Sequence, residues 1–500
     1  MSKMNPKEWA SQVIVQEEID KYLVGGKDFI DEDEIFQKLS ENESPSPDRI
    51  RAILKKSLSI KRLDPDETAA LLNVKDPDLI TEMEETALAV KRKVYDNRIV
   101  FFAPLYCSNL CVNSCLYCGF RKDNSKEKRR TLSMDEIRRE TEHVIDEGHK
   151  RMIVVYGEHP LSDADYMAES IKAVYSVQRK SKNGNGDGRI RRVNINAAPM
   201  RTSDLKKLAE IGIGTYQVFQ ETYHKDTYSR IHPEGPKSDY RWRLYALHRA
   251  MDAGIDDLAI GALFGLYDWK FEVMGLLYHT MDLERQFGIG PHTISFPRLT
   301  EAIGSDLSTN SKYIVSDEEF KRIVTVLRLS VPYTGLIVTA REKPGIKKEV
   351  IKLGCTQTDA STNIDIGGYS ETVKEETADT QQFTLGETRS LDEVIGEVAD
   401  MGMISSFCTA GYRCGRTGDK IMNLLTECVE GKFCKLNAIL TFKEYLEDYA
   451  SEKTRLVGEK LIQKEMEEVR QIPFFKQHNL VEKLEEYYER ISNGERDLYL

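Results

Sequence analysis

Between Arg98 and Asp359, eight short β-rich runs alternate with amphipathic stretches, and that alternation leaves few folds open. The runs are "RIVFFAPL", "RMIVVY", "RVNINAA", "TYQVFQ", "LAIGALF", "PHTISF", "GLIVTA" and "GCTQTD". Segments such as "SMDEIRRETEHVIDEG", "TSDLKKLAEIG" and "DYRWRLYALHRAMDAG" lie between them, and each ends in Gly, as helix C-termini often do. Eight strand–helix units over roughly 260 residues predict an α/β fold, a (β/α)8 barrel. A doubly wound open sheet is the competing arrangement, and the even spacing of eight units favours closure. "QRKSKNGNGDGRIRR" reads as a polar loop inserted before the third strand.

Three segments follow from this texture. Residues 1–95 are charged and helical in period, with Val13, Ile14, Ile19 and Leu23 on one stripe and Ile50, Ile53, Leu54 and Leu58 on another. They form an N-terminal helical extension, read as a cap or partner surface without chemistry of its own. Residues 96–370 are the barrel. Residues 371–500 are read as a helical C-terminal domain that carries a second cysteine group, "FCTAGYRCG", then Cys428 and Cys434. A formal charge of −11 leaves no basic stripe for a nucleic acid. "MSKMNPKEWASQ" has no apolar signal region and no run approaches 18 apolar residues, so neither secretion nor a membrane is expected. In the cytoplasm this implies, nine clustered cysteines read as metal ligands, not disulfides.

Four of those cysteines fall within "CSNLCVNSCLYC", directly after the first strand. Only Cys111, Cys115 and Cys118 make the compact pattern C-x3-C-x2-C; Cys107 lies outside it. Core thiols are one reading of the group and a zinc site is another, but zinc usually takes two C-x2-C pairs and one is present. Three thiolates suit a cluster of four irons and four sulfides with one iron left open. The mouth of a barrel, at the strand C-termini, is where active sites are built.

C-x3-C-x2-C followed by Gly119 and Phe120, after strand one of a barrel, resembles the radical S-adenosylmethionine superfamily. The resemblance implies a [4Fe–4S] cluster on Cys111, Cys115 and Cys118 whose open iron holds the methionine moiety of S-adenosylmethionine. It puts the Tyr117 ring beside the adenine and the cofactor's amino group on Gly157 and Glu158. Asn194 and Asn196, with amides for hydroxyls, and Glu221 and Arg243 are further cofactor-binding candidates at strand ends. Arg298 and Arg341 each follow a later strand. An arginine fork matches the carboxylate of an amino-acid substrate.

Over residues 98–450 the likeness narrows. "GIGTYQVFQETYH", "GPKSDYRWRL", "AGIDDLAIGALFGLYDWKFEV", "GPHTIS", "VPYTG", "GRTGD" and "NAILTFKEYLEDYA" are similar to the FeFe-hydrogenase maturation tyrosine lyases and, more distantly, to the thiazole-pathway 2-iminoacetate synthases. The resemblance implies cleavage of L-tyrosine at Cα–Cβ to p-cresol and dehydroglycine, with an electron donor such as ferredoxin or flavodoxin and maturation partner proteins. In the maturases a second cluster converts the fragment to carbon monoxide and cyanide. Its ligands are C-x2-C and a cysteine 23 positions on. Here Cys408 and Cys434 stand first and third, but Gly411 stands in the middle; Cys414 is the nearest substitute. His279 matches the family's histidine ligand to an additional iron. Alternatives are a lyase that only releases dehydroglycine, a paralogue using another amino acid, an iron–sulfur scaffold and, for the C-terminal cysteines, a decayed site kept for packing.

Overall fold

In this computed structural model residues 5–184, 186–370, 381–410, 418 and 430–500 are described, with side chains from 433 in the last stretch. Eight parallel strands close on themselves. They are β1 (Arg98–Ser108), β2 (Arg151–Tyr156), β3 (Arg192–Asn196), β4 (Tyr216–Gln217), β5 (Leu258–Gly261), β6 (Thr293–Ser295), β7 (Gly335–Val338) and β8 (Gln357–Asp359). Each pairs with the next, and β8 returns to β1 with Val100 opposite Gln357 and Phe102 opposite Asp359. The closed (β/α)8 barrel is therefore confirmed and the open sheet excluded. All eight quoted runs are strands. Their Val, Ile and Phe residues pack outward against helices and inward in layers such as Phe102, Ile153 and Ile337, which is why they read as near-continuous apolar runs.

Local chemistry fixes the helices between them. Ser133 and Glu136 make a capping box at the start of Met134–Asp146, and Ser316 and Glu319 do the same for Asp317–Ser330. Thr202–Ile211 and Trp269–Phe287 end on Gly212 and Gly288 with φ of 80° and 78°, the left-handed conformation that glycine adopts freely. The stretch 239–254 departs from a single helix. It breaks at Tyr245 into Tyr240–Leu244 and Ala246–Asp252. The Trp242 carbonyl accepts from the Arg249 guanidinium at 2.6 Å while that guanidinium covers the Trp242 ring at 3.6 Å.

The inserted loop carries a two-residue hairpin, Arg179–Lys180 with Asp187–Gly188. The N-terminal helices pack on the outer helical ring: Ser57 Oγ donates to Leu329 O at 2.8 Å, and the Leu63 amide to Ser330 O at 2.9 Å. The C-terminal region is not purely helical. After Leu391–Asp400 the chain forms β9 (Ile404–Ser406), parallel to the first residues of β1, with Arg98 opposite Ile404. β9 thus lies at the barrel floor, where Arg192 pairs with Asp257 at 2.9 Å and His292 with the same carboxylate at 2.9 Å. Among the described residues no helix is long and apolar enough to cross a membrane.

Candidate active site

A cavity of about 200 Å3 opens at the C-terminal ends of the strands. Cys111, Cys115 and Cys118 all line it, together with Tyr117, Gly157, Glu158, Asn196, Glu221, Arg243 and Arg341. The loop bearing the three thiols is held by backbone on several sides. The Gly157 amide donates to Ser108 O at 2.8 Å and the Val112 amide to Glu158 O at 2.9 Å. The Leu116 amide donates to Ile231 O at 3.0 Å and that of Gly119 to Gln382 O at 3.1 Å. Burial pushes the thiols of Cys115 and Cys118 up, so an unliganded pocket keeps them protonated. Gly157 is forced by close approach: a Cβ there would lie 2.2 Å from the Leu110 carbonyl oxygen.

The polar groups around the thiols form one network. Asn113, inside the x3 of the cysteine motif, donates to Glu158 Oε2 at 2.6 Å and to Cys111 Sγ at 3.5 Å, and its Oδ1 accepts from the Lys237 amide at 2.9 Å. Glu158 is buried, which raises its carboxyl pKa, and its Oε1 has no hydrogen-bond partner among the described residues. Burial alone would also raise Glu221, but Lys237 Nζ at 2.6 Å and Arg243 at 3.2 Å hold it below the ordinary carboxylate range. Glu221 sits at φ 71°, a conformation unusual for a side chain of its kind and one that tertiary contacts must enforce. Tyr117 shares a hydrogen bond with His232 at 2.9 Å, and Lys237 Nζ stands 5.5 Å from its ring centre.

Of the two later arginines only Arg341 reaches the cavity. Its guanidinium stacks on Phe383 at 3.3 Å and donates to Thr300 Oγ1 at 3.0 Å, and no described carboxylate pairs with it. Arg298 does not line the cavity. Its fork is taken by Glu342 at 3.0 Å, by Asp317 at 2.8 Å and by the Val315 carbonyl at 3.0 Å, on the outer side of the mouth. Asn194 is likewise not on the cavity. It lies on the same strand face as Asn196 but one layer lower, where its Oδ1 accepts from Arg192 Nε at 3.1 Å and the Thr215 amide at 3.0 Å.

The remaining candidates lie elsewhere. His279 is buried beside the helix ring, sharing a hydrogen bond with Tyr223 at 2.9 Å and packed on His248 and Phe29. Burial lowers its pKa to about 3, so it is neutral, and Nε2 has no partner among the described residues. Cys408 follows β9 at the floor with φ 48°, and Cys434 is buried on the helix Glu430–Asp448. Both lie near enough to Tyr95 to add to the rise that burial gives its hydroxyl pKa. Gly411 and Cys414 lie outside the described residues, as does Cys428. Residues missed in the sequence are Asn113, Lys237 and the strap 381–385, which places Gln382, Phe383 and Leu385 on the cavity. Only Asn113, set within the cysteine motif, carried a signal.

The residues fit the prosthetic groups expected of such a motif. Three thiols share one cavity, Glu158 lines it with one carboxylate oxygen unpaired among the described residues, and Gly157 leaves the backbone bare where the loop passes. Among the described residues no three His, Cys, Asp or Glu side chains converge closely enough for a single ion. Ligands to three corners of a cubane stand farther apart than that.

Comparison with known proteins agrees. Residues 105–275 match the family model of the radical SAM superfamily, and residues 295–404 that of the biotin and thiamin synthesis associated domain. The crystal structure of HydG, a maturase of the [FeFe]-hydrogenase, superimposes with a TM-score of 0.89 at 44% identity, covering 95% of this chain and 100% of that one. The chain belongs to the HydG family. HydG from Carboxydothermus hydrogenoformans gives a TM-score of 0.77 at 34% identity, over 96% of this chain and 99% of its own. The 2-iminoacetate synthase of Escherichia coli is 28% identical over 354 residues, 70% of this chain and 89% of that protein. As a HydG family member the chain is a radical SAM lyase using a [4Fe–4S] cluster and S-adenosylmethionine.

Proposed function

We propose that this HydG family member cleaves L-tyrosine between Cα and Cβ to p-cresol and dehydroglycine. The carrying observation is one barrel-mouth cavity in which three thiols meet an arginine, Arg341, that has no carboxylate partner among the described residues. The relative named 2-iminoacetate synthase makes the imine that is dehydroglycine, which supports the same product here. Cys111, Cys115 and Cys118 would hold the cluster, and Glu158 Oε1 would accept from the amino group of S-adenosylmethionine. Once bound, these groups supply a 5′-deoxyadenosyl radical.

The chain's own task is binding, orientation and dryness. Arg341, aimed by its stack on Phe383, grips the substrate carboxylate. Lys237 and Arg243 keep Glu221 ionised and fixed beside the Tyr117 ring, and Asn196 faces the cavity with a free amide for a hydroxyl. Phe102, Ile153, Ile337, Leu263 and Leu385 form apolar walls for an aromatic ring, and Thr339 Oγ1, buried without a partner among the described residues, is offered to the phenol. Those walls exclude water, which protects a reactive radical from side reactions. Arg341→Lys removes the fork, and the lost bidentate contact, about 1.5–3 kcal/mol, corresponds to a ten- to hundredfold weaker tyrosine affinity. Tyrosine saturation of p-cresol formation measures it, and an unchanged curve refutes the assignment.

The finer reading concerns carbon monoxide and cyanide. With Gly411 in the middle cysteine position, the second site keeps Cys408 and Cys434 as ligands and lacks the third. The expected products of the native protein are p-cresol and dehydroglycine, with little carbon monoxide. Gly411→Cys should raise iron per chain and carbon monoxide together, measured by iron assay and haemoglobin trapping. Carbon monoxide matching p-cresol in the native protein would overturn this and make the chain a complete maturase.

A further inference from the structure

One short segment grips the cysteine loop along its length. The helix Lys225–Ile231 stops at His232 because Pro233 follows, and the residue before a proline is driven out of helical backbone. The chain then runs along the loop as far as Lys237. Ile231 O accepts from the Leu116 amide at 3.0 Å and Glu234 O from the Ser114 amide at 3.3 Å. The Lys237 amide donates to Asn113 Oδ1 at 2.9 Å. Gly235, at φ 91°, makes room for that side chain: a Cβ there would lie 2.2 Å from Asn113 Oδ1. These contacts hold main chain and Asn113. His232 reaches the aromatic side chain of the motif, Tyr117.

Geometry gives the direction of that contact. His232 Nδ1 stands 2.9 Å from Tyr228 O, which can only accept, so Nδ1 carries the proton. Tyr228 is itself fixed, its hydroxyl donating to Lys237 O at 2.7 Å. Burial, with the Lys237 and Arg243 cations nearby, holds the His232 pKa well below the usual value, so the ring is neutral and Nε2 keeps a lone pair. The Tyr117 hydroxyl, 2.9 Å away, therefore donates to Nε2. The two rings are buried and meet at 88°, with centres 5.5 Å apart. Tyr117 lines the cavity and His232 does not, so the histidine can touch a ligand only through the tyrosine.

We propose that His232 is a positioning residue for the cofactor: it sets the tilt of the Tyr117 ring and thereby the binding of the adenine half of S-adenosylmethionine. The inference rests on the reading that Tyr117 lies beside the adenine. Stacking of a base on an aromatic side chain depends on how the two planes overlap, and a phenol pinned at its hydroxyl presents one plane in place of several.

The test uses the full-length, anaerobically reconstituted protein, with Kd values from equilibrium dialysis for S-adenosylmethionine, 5′-deoxyadenosine and L-tyrosine. His232→Phe keeps a ring of similar size without the acceptor, and Tyr117→Phe keeps the ring without the hydroxyl. Each should weaken S-adenosylmethionine and 5′-deoxyadenosine by about three- to tenfold, the worth of one hydrogen bond, and leave tyrosine unchanged. The double variant should bind no more weakly than either single one, because both changes break the same bond. His232→Gln, whose amide oxygen reaches the place of Nε2, should recover most of the loss. An unchanged 5′-deoxyadenosine Kd in His232→Phe, or losses that multiply in the double variant, overturns the proposal and leaves His232 a structural residue. Should His232→Phe lose its iron, Tyr117→Phe decides, since it leaves the whole segment 231–237 intact, and an unchanged Kd there overturns the proposal equally. Tyr117→Ala separates the two readings: 5′-deoxyadenosine bound as tightly as by the native protein would overturn the placing of adenine beside Tyr117 itself.

Discussion

Gly157→Ala is expected to cut 5′-deoxyadenosine release by about a hundredfold or more while the barrel still folds. The added Cβ would stand 2.2 Å from Leu110 O, 3.0 Å from its carbonyl carbon and 3.4 Å from the Asn109 carbonyl carbon, all main-chain atoms. Neither side can rotate away. The Gly157 amide is bonded to Ser108 O at 2.8 Å, and Glu158 O accepts from Val112 at 2.9 Å, so the two backbones are tied on both flanks of the clash. Relief needs a shift on the order of 1 Å in the segment that leads into Cys111, and misplacement of that size in a reacting constellation costs about a hundredfold. Iron and sulfide per chain after anaerobic reconstitution should fall with activity, while circular dichroism stays native. Gly212→Ala is the control: its Cβ meets nothing within 4 Å, and its φ of 80° makes the change a matter of stability alone, about 1 kcal/mol. Native iron content and rate in Gly157→Ala would show that the loop yields.

Cys111→Ala, Cys115→Ala and Cys118→Ala should each abolish cofactor cleavage, and Cys107→Ala should keep most of it. The first three side chains line one cavity; Cys107 is fully buried in the strand with its thiol toward Leu105 O at 3.8 Å, and it does not reach the cavity. Burial pushes the Cys107 thiol up, so it is a small apolar filler and not a ligand in waiting. Loss of any one of three cluster thiolates leaves two, too few to fix a cubane with one open corner. The readout is 5′-deoxyadenosine per chain with dithionite as reductant. A Cys107→Ala protein as inactive as Cys111→Ala would refute the ligand assignment.

The strands and the cysteine loop were legible because both are local signals, a run of β-branched residues in one case and a fixed spacing in the other. The arginines show where legibility ends. Arg298 and Arg341 each follow a strand, and nothing near them in sequence says which faces inward. Glu342 decides it by drawing Arg298 outward, an interaction between residues 44 apart. Asn194 and Asn196 share a face, so the period of two could not separate the one at the cavity from the one a layer below it. Lys237 comes from a single 3-10 turn, Pro236–Ser238, and Phe383 from a loop, and no periodicity records the path of either. β9 is three residues long and contains two serines, and only its pairing with Arg98–Val100 makes it a strand.

The strap 381–385 has a consequence for how the protein is made. It covers Cys118 from a point far later in the chain, with Gln382 Nε2 3.6 Å from Cys118 Sγ and Gly386 anchored on Ala340 O at 2.8 Å. At ordinary rates of synthesis the cysteine loop leaves the ribosome on the order of tens of seconds before the residues that roof it. The roof also depends on contacts of long sequence separation, which form late in folding. During that interval the loop lacks its roof and also, at first, the later segments around Glu158, Ile231 and Lys237 that hold it, so the thiols are open to the outside in a nascent chain in a way they are not in the finished protein.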